Sequence, residues 1–161
     1  MINLVLEMTK AGPHDRVLDL YCGYGNFSLP VAQLAGEVVG IDSQNAAIRS
    51  AKRNGMLNRV HNCHFEKKQV LKGVNDLIGA GEIFDTVILD PPRQGAADII
   101  SMLPVLGAEQ IIYISCNPAT LARDLAILCS QGYALSCLVP VDMFPHTHHM
   151  ESVALLKRLT Q

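Results

Sequence analysis

No apolar run in this chain approaches the roughly 20 residues that span a bilayer, and the N-terminus lacks a signal-peptide pattern. Low-complexity stretches are also missing. With hydrophobic residues at 49% and charged residues at 17%, disorder is not expected. The five cysteines (22, 63, 116, 129 and 137) are odd in number, and none is spaced as Cys-x-x-Cys. That argues against a disulfide framework or a structural zinc site and points to a reducing, cytoplasmic setting. A basic excess is absent as well: 13 Lys and Arg stand against 15 Asp and Glu, a net charge of −2. A domain that holds nucleic acid unaided usually carries such an excess, so most of the phosphate grip on any RNA substrate must come from elsewhere. Neither an internal repeat nor a linker divides the 161 residues, which are of ordinary size for one domain with a real core.

What is present is alternation. Apolar β-type runs at 16–20, 37–42, 62–66, 84–90, 110–115, 134–141 and 152–159 are interleaved with helical patterns at 2–9, 27–34, 43–54, 69–79, 96–103 and 118–130. The early strands read as continuous apolar runs, as parallel strands covered on both faces do. The pattern predicts an open, doubly wound α/β sheet of seven strands. No helix separates the last two strands, so they should pair antiparallel at one edge.

The run 111–118, Ile-Ile-Tyr-Ile-Ser-Cys-Asn-Pro, ends a buried strand in a cysteine and then starts a helix. Asn117 suits the N-cap and Pro118 the first helical position. Cys116 would lie beside the positive end of a helix, where the nucleophilic thiolate is favoured. On local sequence alone a small buried core residue is the commoner identity for such a cysteine. The run 17–27 reads as strand, glycine turn and helix start, with Gly23 and Gly25 allowing close backbone approach to a ligand. The third glycine of the dinucleotide fingerprint is missing. Asp42 ends the second strand, where a carboxylate can accept both ribose hydroxyls; the competing role is to cap the following helix, which Ser43 could do instead. Together these features favour a nucleoside cofactor without a pyrophosphate, and S-adenosylmethionine fits better than NAD. Asp90 ends the fourth strand and is followed by a rigid Pro91-Pro92, which places it in the same crevice. It could accept a hydrogen bond from a pyrimidine N3–H or an amino group, or simply form an Asp-Pro turn.

These segments, with the Phe144-Pro145-His146-Thr147-His148-His149-Met150-Glu151 stretch, occur in one order. In that order the chain resembles the catalytic domain of the RNA uracil-5-methyltransferases, which form 5-methyluridine in tRNA and 23S rRNA. The resemblance covers essentially the whole chain. It implies a Rossmann-like class I methyltransferase fold, S-adenosylmethionine as methyl donor and rRNA or tRNA as substrate. It implies further that Cys116 is the nucleophile and Glu151 the general base. Tyr21, Gly23, Gly25, Asn26, Asp42, Gln69 and Asp90 fall on cofactor-contacting positions, and Asp90, Arg93 and His146 on the substrate side. Gln69 stands where the family usually has Asn or Asp, one methylene shorter.

His146, His148 and His149 could suggest a zinc hydrolase with Glu151 as base. The family motif accounts for them better, and no metal is expected. Two other classes compete with the uracil reading. An amino-methyltransferase with an Asp-Pro-Pro loop would usually follow the prolines with an aromatic, whereas Arg93 follows here. A non-catalytic nucleoside-binding module would not need Cys116. Full-length family members carry N-terminal RNA-binding segments and an upstream Gln-containing motif that this chain lacks. Residues 1–161 are therefore expected to be the catalytic domain, binding S-adenosylmethionine weakly and methylating RNA poorly when alone.

Overall fold

In the computed structural model, residues 1–142 and 150–159 are described. The elements run α1 (Ile2–Thr9), β1 (Arg16–Leu20), α2 (Ser28–Val31), β2 (Glu37–Asp42), α3 (Asn45–Leu57), β3 (Cys63–Lys67), α4 (Val70–Gly79) and β4 (Thr86–Leu89), then a 3-10 helix (Ile100–Leu106), β5 (Gln110–Ser115), α5 (Pro118–Ser130), β6 (Tyr133–Val141) and β7 (Glu151–Arg158). The seven strands form one sheet in the order β3-β2-β1-β4-β5-β7-β6. The first five are mutually parallel, and β7 is antiparallel to both neighbours. This is the doubly wound sheet expected, with one detail added: the antiparallel edge pair is formed by β7 inserting between β5 and β6.

Strand alternation sorts the core into two layers. Leu18, Leu20, Val87, Leu89, Ile111 and Tyr113 face α4, the 3-10 helix and α5. Val17, Val38, Ile88, Ile112 and Ile114 face α1 and α2. Leu29, Ile48, Ala51 and Phe65 seat α3 on that second side. Both faces of the central strands are buried, which is why their sequences are apolar without alternation.

Three expected elements differ in kind or length, beyond shifts of one to three residues at the ends of α3, β3, α4, β6 and β7. The helix at 27–34 is one α-turn, Ser28–Val31. The expected helix at 96–103 is instead a 3-10 helix shifted to Ile100–Leu106, with Pro104 inside it. Proline cannot donate a backbone hydrogen bond and crowds the preceding turn, so a longer α-helix is not available there. The strand at 84–90 shortens to Thr86–Leu89, which frees Asp90 into a loop. Among the described residues no helix is long and apolar enough to cross a membrane.

Ile112 is fully buried at the centre of the sheet. Ile112→Ala should lower unfolding free energy by about 2–5 kcal/mol, read as a lower urea midpoint. An unchanged midpoint would contradict this packing.

Candidate active site

In a parallel sheet all strands end on the same side, so the loops after β1, β2, β3, β4 and β5 share one edge. β7 runs the other way and begins there. Ser115 pairs with Ser152. Carrying that register one step further sets Cys116, just past β5, opposite Glu151, the first residue of β7. Asp90 leaves β4, the strand next to β5. Glu151 is close enough to add its charge to that of Asp90.

Two adjoining clefts occupy this edge. The first, about 440 Å³, is lined by Tyr21, Gly23, Asn26, Asp90, Ile114 and Glu151, with Met1 and Ile2 of α1 on its wall. The second, about 750 Å³, is lined by Asp42, Gln44, Gln69, Pro91, Gln94 and Asp98, and shares Tyr21, Gly23 and Asp90 with the first. Most of the sequence-predicted cofactor set thus converges. Gly25 sits beneath the turn at φ +82, where an added Cβ would lie 2.9 Å from the Phe65 ring, so only glycine fits. Cys116 is half-buried at the end of β5 and, like Arg93, is not among the residues that line either cleft. His146 lies outside the described residues, as do His148 and His149. Among the described residues no group of His, Cys, Asp or Glu is arranged to hold a metal ion.

Local bonds explain how these positions are held. Asp42 does not cap α3, whose N-cap is Gln44. Its carboxylate accepts the Gly23 N–H at 3.0 Å and the Gln44 N–H at 2.7 Å, tying the glycine turn to the end of β2. Each oxygen keeps a lone pair for a ligand. Tyr21 adopts φ 64, an uncommon conformation for a bulky residue, and its N–H donates to the Ile41 carbonyl. Burial first, then Asp98 and Asp124, push its phenol up to about 12. Asn117 caps α5 as expected, accepting the Ala119 N–H at 3.0 Å with Pro118 at the first helical position. Ser115 Oγ accepts the Asn117 N–H at 3.1 Å, which closes the turn around Cys116.

Electrostatics distinguish the groups. The clefts hold Asp42, Asp90, Asp98 and Glu151, and their linings include no Lys or Arg among the described residues. Such a site suits an uncharged or cationic ligand and repels phosphate. Desolvation by the cleft walls raises Asp90 to about 6, with Glu151 adding to the shift. Burial, with Asp19 and Asp42 nearby, pushes the Cys22 thiol up, so this cysteine beneath the turn stays protonated.

The sequence reading passed over Asp19 and Asp124. Both are fully buried. Each is an acid inside an apolar pattern, Asp19 within Val17-Leu18-Asp19-Leu20 and Asp124 on the Leu121, Leu125, Leu128 stripe. That mismatch was the available signal.

Comparison with known proteins places this arrangement. The sequence model of the family described as tRNA (Uracil-5-)-methyltransferase matches residues 1–159. The 23S rRNA (uracil(1939)-C(5))-methyltransferase RlmD of Vibrio campbellii is 49% identical over 158 residues, covering 98% of this chain and 36% of that protein. The crystal structure of Pyrococcus abyssi tRNA (uracil-54, C5)-methyltransferase in complex with S-adenosyl-L-homocysteine matches with a TM-score of 0.75 at 36% identity, over 96% of this chain and 37% of that one. An rRNA methylase from Streptococcus thermophilus, 12% identical with a TM-score of 0.76 over 99% of this chain and 94% of its own, shares the fold alone. The chain spans about a third of the length of the curated relatives it matches.

Asp19 yields a measurable consequence. Its Oδ2 accepts the Ser28 hydroxyl at 2.5 Å, while its buried Oδ1 has no partner among the described residues. Burial raises its pKa from 3.8 to about 7 against the opposing Ser28 bond, with Asp90 and Asp42 adding to the rise. The folded state therefore binds this proton more tightly than the unfolded state. Its contribution to stability is present at low pH and is lost as pH rises from about 4 to about 7. The stability of Asp19→Asn minus that of the wild type should climb across that window by a few kcal/mol, then level off. Urea unfolding at a series of pH values measures it; a difference independent of pH would contradict the assignment.

Proposed function

The chain belongs to the tRNA (uracil-5-)-methyltransferase family, and from that membership we propose that it transfers a methyl group from S-adenosylmethionine to C5 of a uridine in rRNA or tRNA. The observation that carries the reading is the Ser115–Ser152 register, which brings Cys116, Glu151 and Asp90 to one sheet edge beside an acidic double cleft.

The cofactor fits the residues present. Asp42 has acceptor capacity left and would take the ribose hydroxyls, and Gln69, the N-cap of α4, lines the second cleft and would meet the adenine. Tyr21, Gly23, Asn26 and Asp90 form the first cleft, where carboxylates favour a cationic sulfonium and disfavour a pyrophosphate. When bound, the sulfonium supplies an electrophilic methyl group.

Uracil C5 is a weak nucleophile. Addition of the Cys116 thiolate to C6 turns C5 into an enolate carbon able to take that methyl. The adduct then carries both methyl and hydrogen at C5. Glu151 removes this proton, and the returning electron pair expels the thiolate and restores the 5,6 double bond. Asp90 accepts the uracil N3–H, with Arg93 and His146 also on the substrate side. C5 and C6 are unreachable in a stacked helix, so the uridine has to flip out. The net charge of −2 supports a catalytic domain, residues 1–161, with the RNA backbone held mainly by other parts of the whole protein. The isolated chain is accordingly expected to bind S-adenosylmethionine weakly and to turn over RNA poorly.

The test uses 5-fluorouridine-substituted RNA with S-adenosylmethionine. Fluorine at C5 cannot leave as a proton, so a covalent protein–RNA adduct should accumulate and vanish in Cys116→Ala. An adduct that survives this substitution, or none in the wild type joined to the rest of its protein, rejects the mechanism. Glu151→Gln should trap an adduct with ordinary uridine. Because Asp90 is pushed up to about 6 and acts as an acceptor, kcat/KM should rise with pH through that value. Asp90→Asn should flatten this limb; an unchanged limb argues against Asp90 as its source.

A further inference from the structure

The loop that follows β4 has two faces. Pro91, Pro92, Gln94 and Gly95 form a wall of the second cleft. The opposite face is bonded to α5. Thr120 Oγ1 and Asn117 Nδ2 donate to the Arg93 carbonyl at 3.1 and 3.3 Å. Arg123 Nη2 donates to the Gln94 carbonyl at 2.9 Å. The Ala96 N–H donates to Asp124 Oδ2 at 2.8 Å.

Asp124 is the centre of this set. Its Oδ2 also accepts the Tyr113 hydroxyl at 2.6 Å, and its Oδ1 pairs with Arg123 at 2.7 Å to Nη2 and 2.8 Å to Nε. Tyr113 lies on β5, three residues before Cys116, and α5 begins two residues after Cys116. One buried carboxylate therefore joins the Asp90 loop, the strand leading to Cys116 and the helix leaving it. The fit is tight: Gly95 sits at φ +78, and a Cβ there would lie 2.6 Å from Asp124 Oδ2 and 2.7 Å from Arg123 Nη2. A buried carboxylate on an apolar helix stripe is costly unless its lone pairs are filled, and here four donors from three segments fill them. Asp124, Thr120 and Arg123 line neither cleft.

Building on the methyltransferase reading above, we propose that Asp124, aided by Thr120 and Arg123, is a positioning residue that fixes the Asp90 loop and the Cys116 turn as one rigid unit. It acts through the loop and the β5 end and touches neither substrate nor cofactor. A shift of the loop on α5 would move Asp90 relative to Cys116, and misplacement on the ångström scale is enough to slow a positioned reaction steeply.

Thr120→Val removes one tether, Arg123→Met removes the Gln94 tether together with the ion pair to Asp124, and both should fold. Asp124→Asn keeps an acceptor for Tyr113 and Ala96 but turns an amide NH2 toward Arg123. In the chain joined to the rest of its protein three quantities are read: amide hydrogen exchange over 93–97, affinity for S-adenosylhomocysteine, and the rate of adduct formation with 5-fluorouridine RNA. In Thr120→Val and Arg123→Met, exchange should quicken and adduct formation slow by about tenfold or more, with little change in Tm for Thr120→Val and a lowered Tm for Arg123→Met, which leaves the buried Asp124 carboxylate without its charged partner. Thr120→Ser should restore both, and Asp124→Asn should show the larger effect. Wild-type exchange and adduct rates in all three variants, or a Thr120→Ser protein as impaired as Thr120→Val, would overturn the proposal. If the wild type binds no S-adenosylhomocysteine and forms no adduct, the methyltransferase reading fails. Hydrogen exchange then still decides the tether: faster loop exchange upholds it and unchanged exchange rejects it.

Discussion

The insertion of β7 between β5 and β6 is the constraint on which the site depends. Five parallel strands bring their carboxyl ends to one edge, but a sixth parallel strand would deliver only another C-terminal loop. An antiparallel strand delivers its beginning. With Ser115 opposite Ser152 as the last pair of the ladder, Cys116 just past β5 and Glu151 at the start of β7 lie one step beyond it. A slip of one residue would reverse the faces of Val153 and Leu155, which are buried in the layer under α1 and α2. Core packing therefore fixes the register, and the register fixes the spacing of Cys116 and Glu151.

Charge shapes the space in front of that edge. Asp42 is half committed to the backbone, holding the glycine turn and the start of α3 in place. Asp90 is displaced upward by desolvation and by Glu151. Asp19 lies buried behind the turn with one oxygen unpaired among the described residues, a cost the fold carries directly under the cleft. Clustered carboxylates are poor partners for phosphate and good partners for a cationic ligand. The same imbalance extends to the whole chain, whose charge of −2 gives no general attraction for RNA. Under the proposed function, recognition of the cofactor and grip on the nucleic acid are thus separated by charge.

The sequence was legible where local rules and tertiary packing agree. β1, β2, β5, α1 and α5 have the bounds read from apolar runs, capping and proline placement. Asn117 and Pro118 start α5 for the reasons their chemistry suggests. Legibility failed at 96–103, where an apolar pattern looked helical but Pro104 and the tether of Ala96 to Asp124 imposed a later 3-10 turn. Asp42 was read as a ligand acceptor with helix capping as its rival; it does not cap α3, and it bonds the Gly23 and Gln44 N–H groups, the first in a segment the local pattern does not join to it. Asp124 escaped notice because an acid on a helix is ordinarily solvated. Its donors come from three segments that only the fold assembles.

By itself the sequence determined the alternation of elements, the acidic strand ends, the glycine turn and the cysteine poised before a capped helix. These follow from periodicity, backbone freedom and side-chain chemistry, all of which act over a few residues. Only the tertiary structure decided that β7 enters between β5 and β6, that Tyr21 and Asp90 divide one crevice into two clefts, and that Asp124 binds the Asp90 loop to the helix after Cys116. Those outcomes depend on which distant faces bury one another and which distant donors satisfy a buried charge, and no local pattern encodes them.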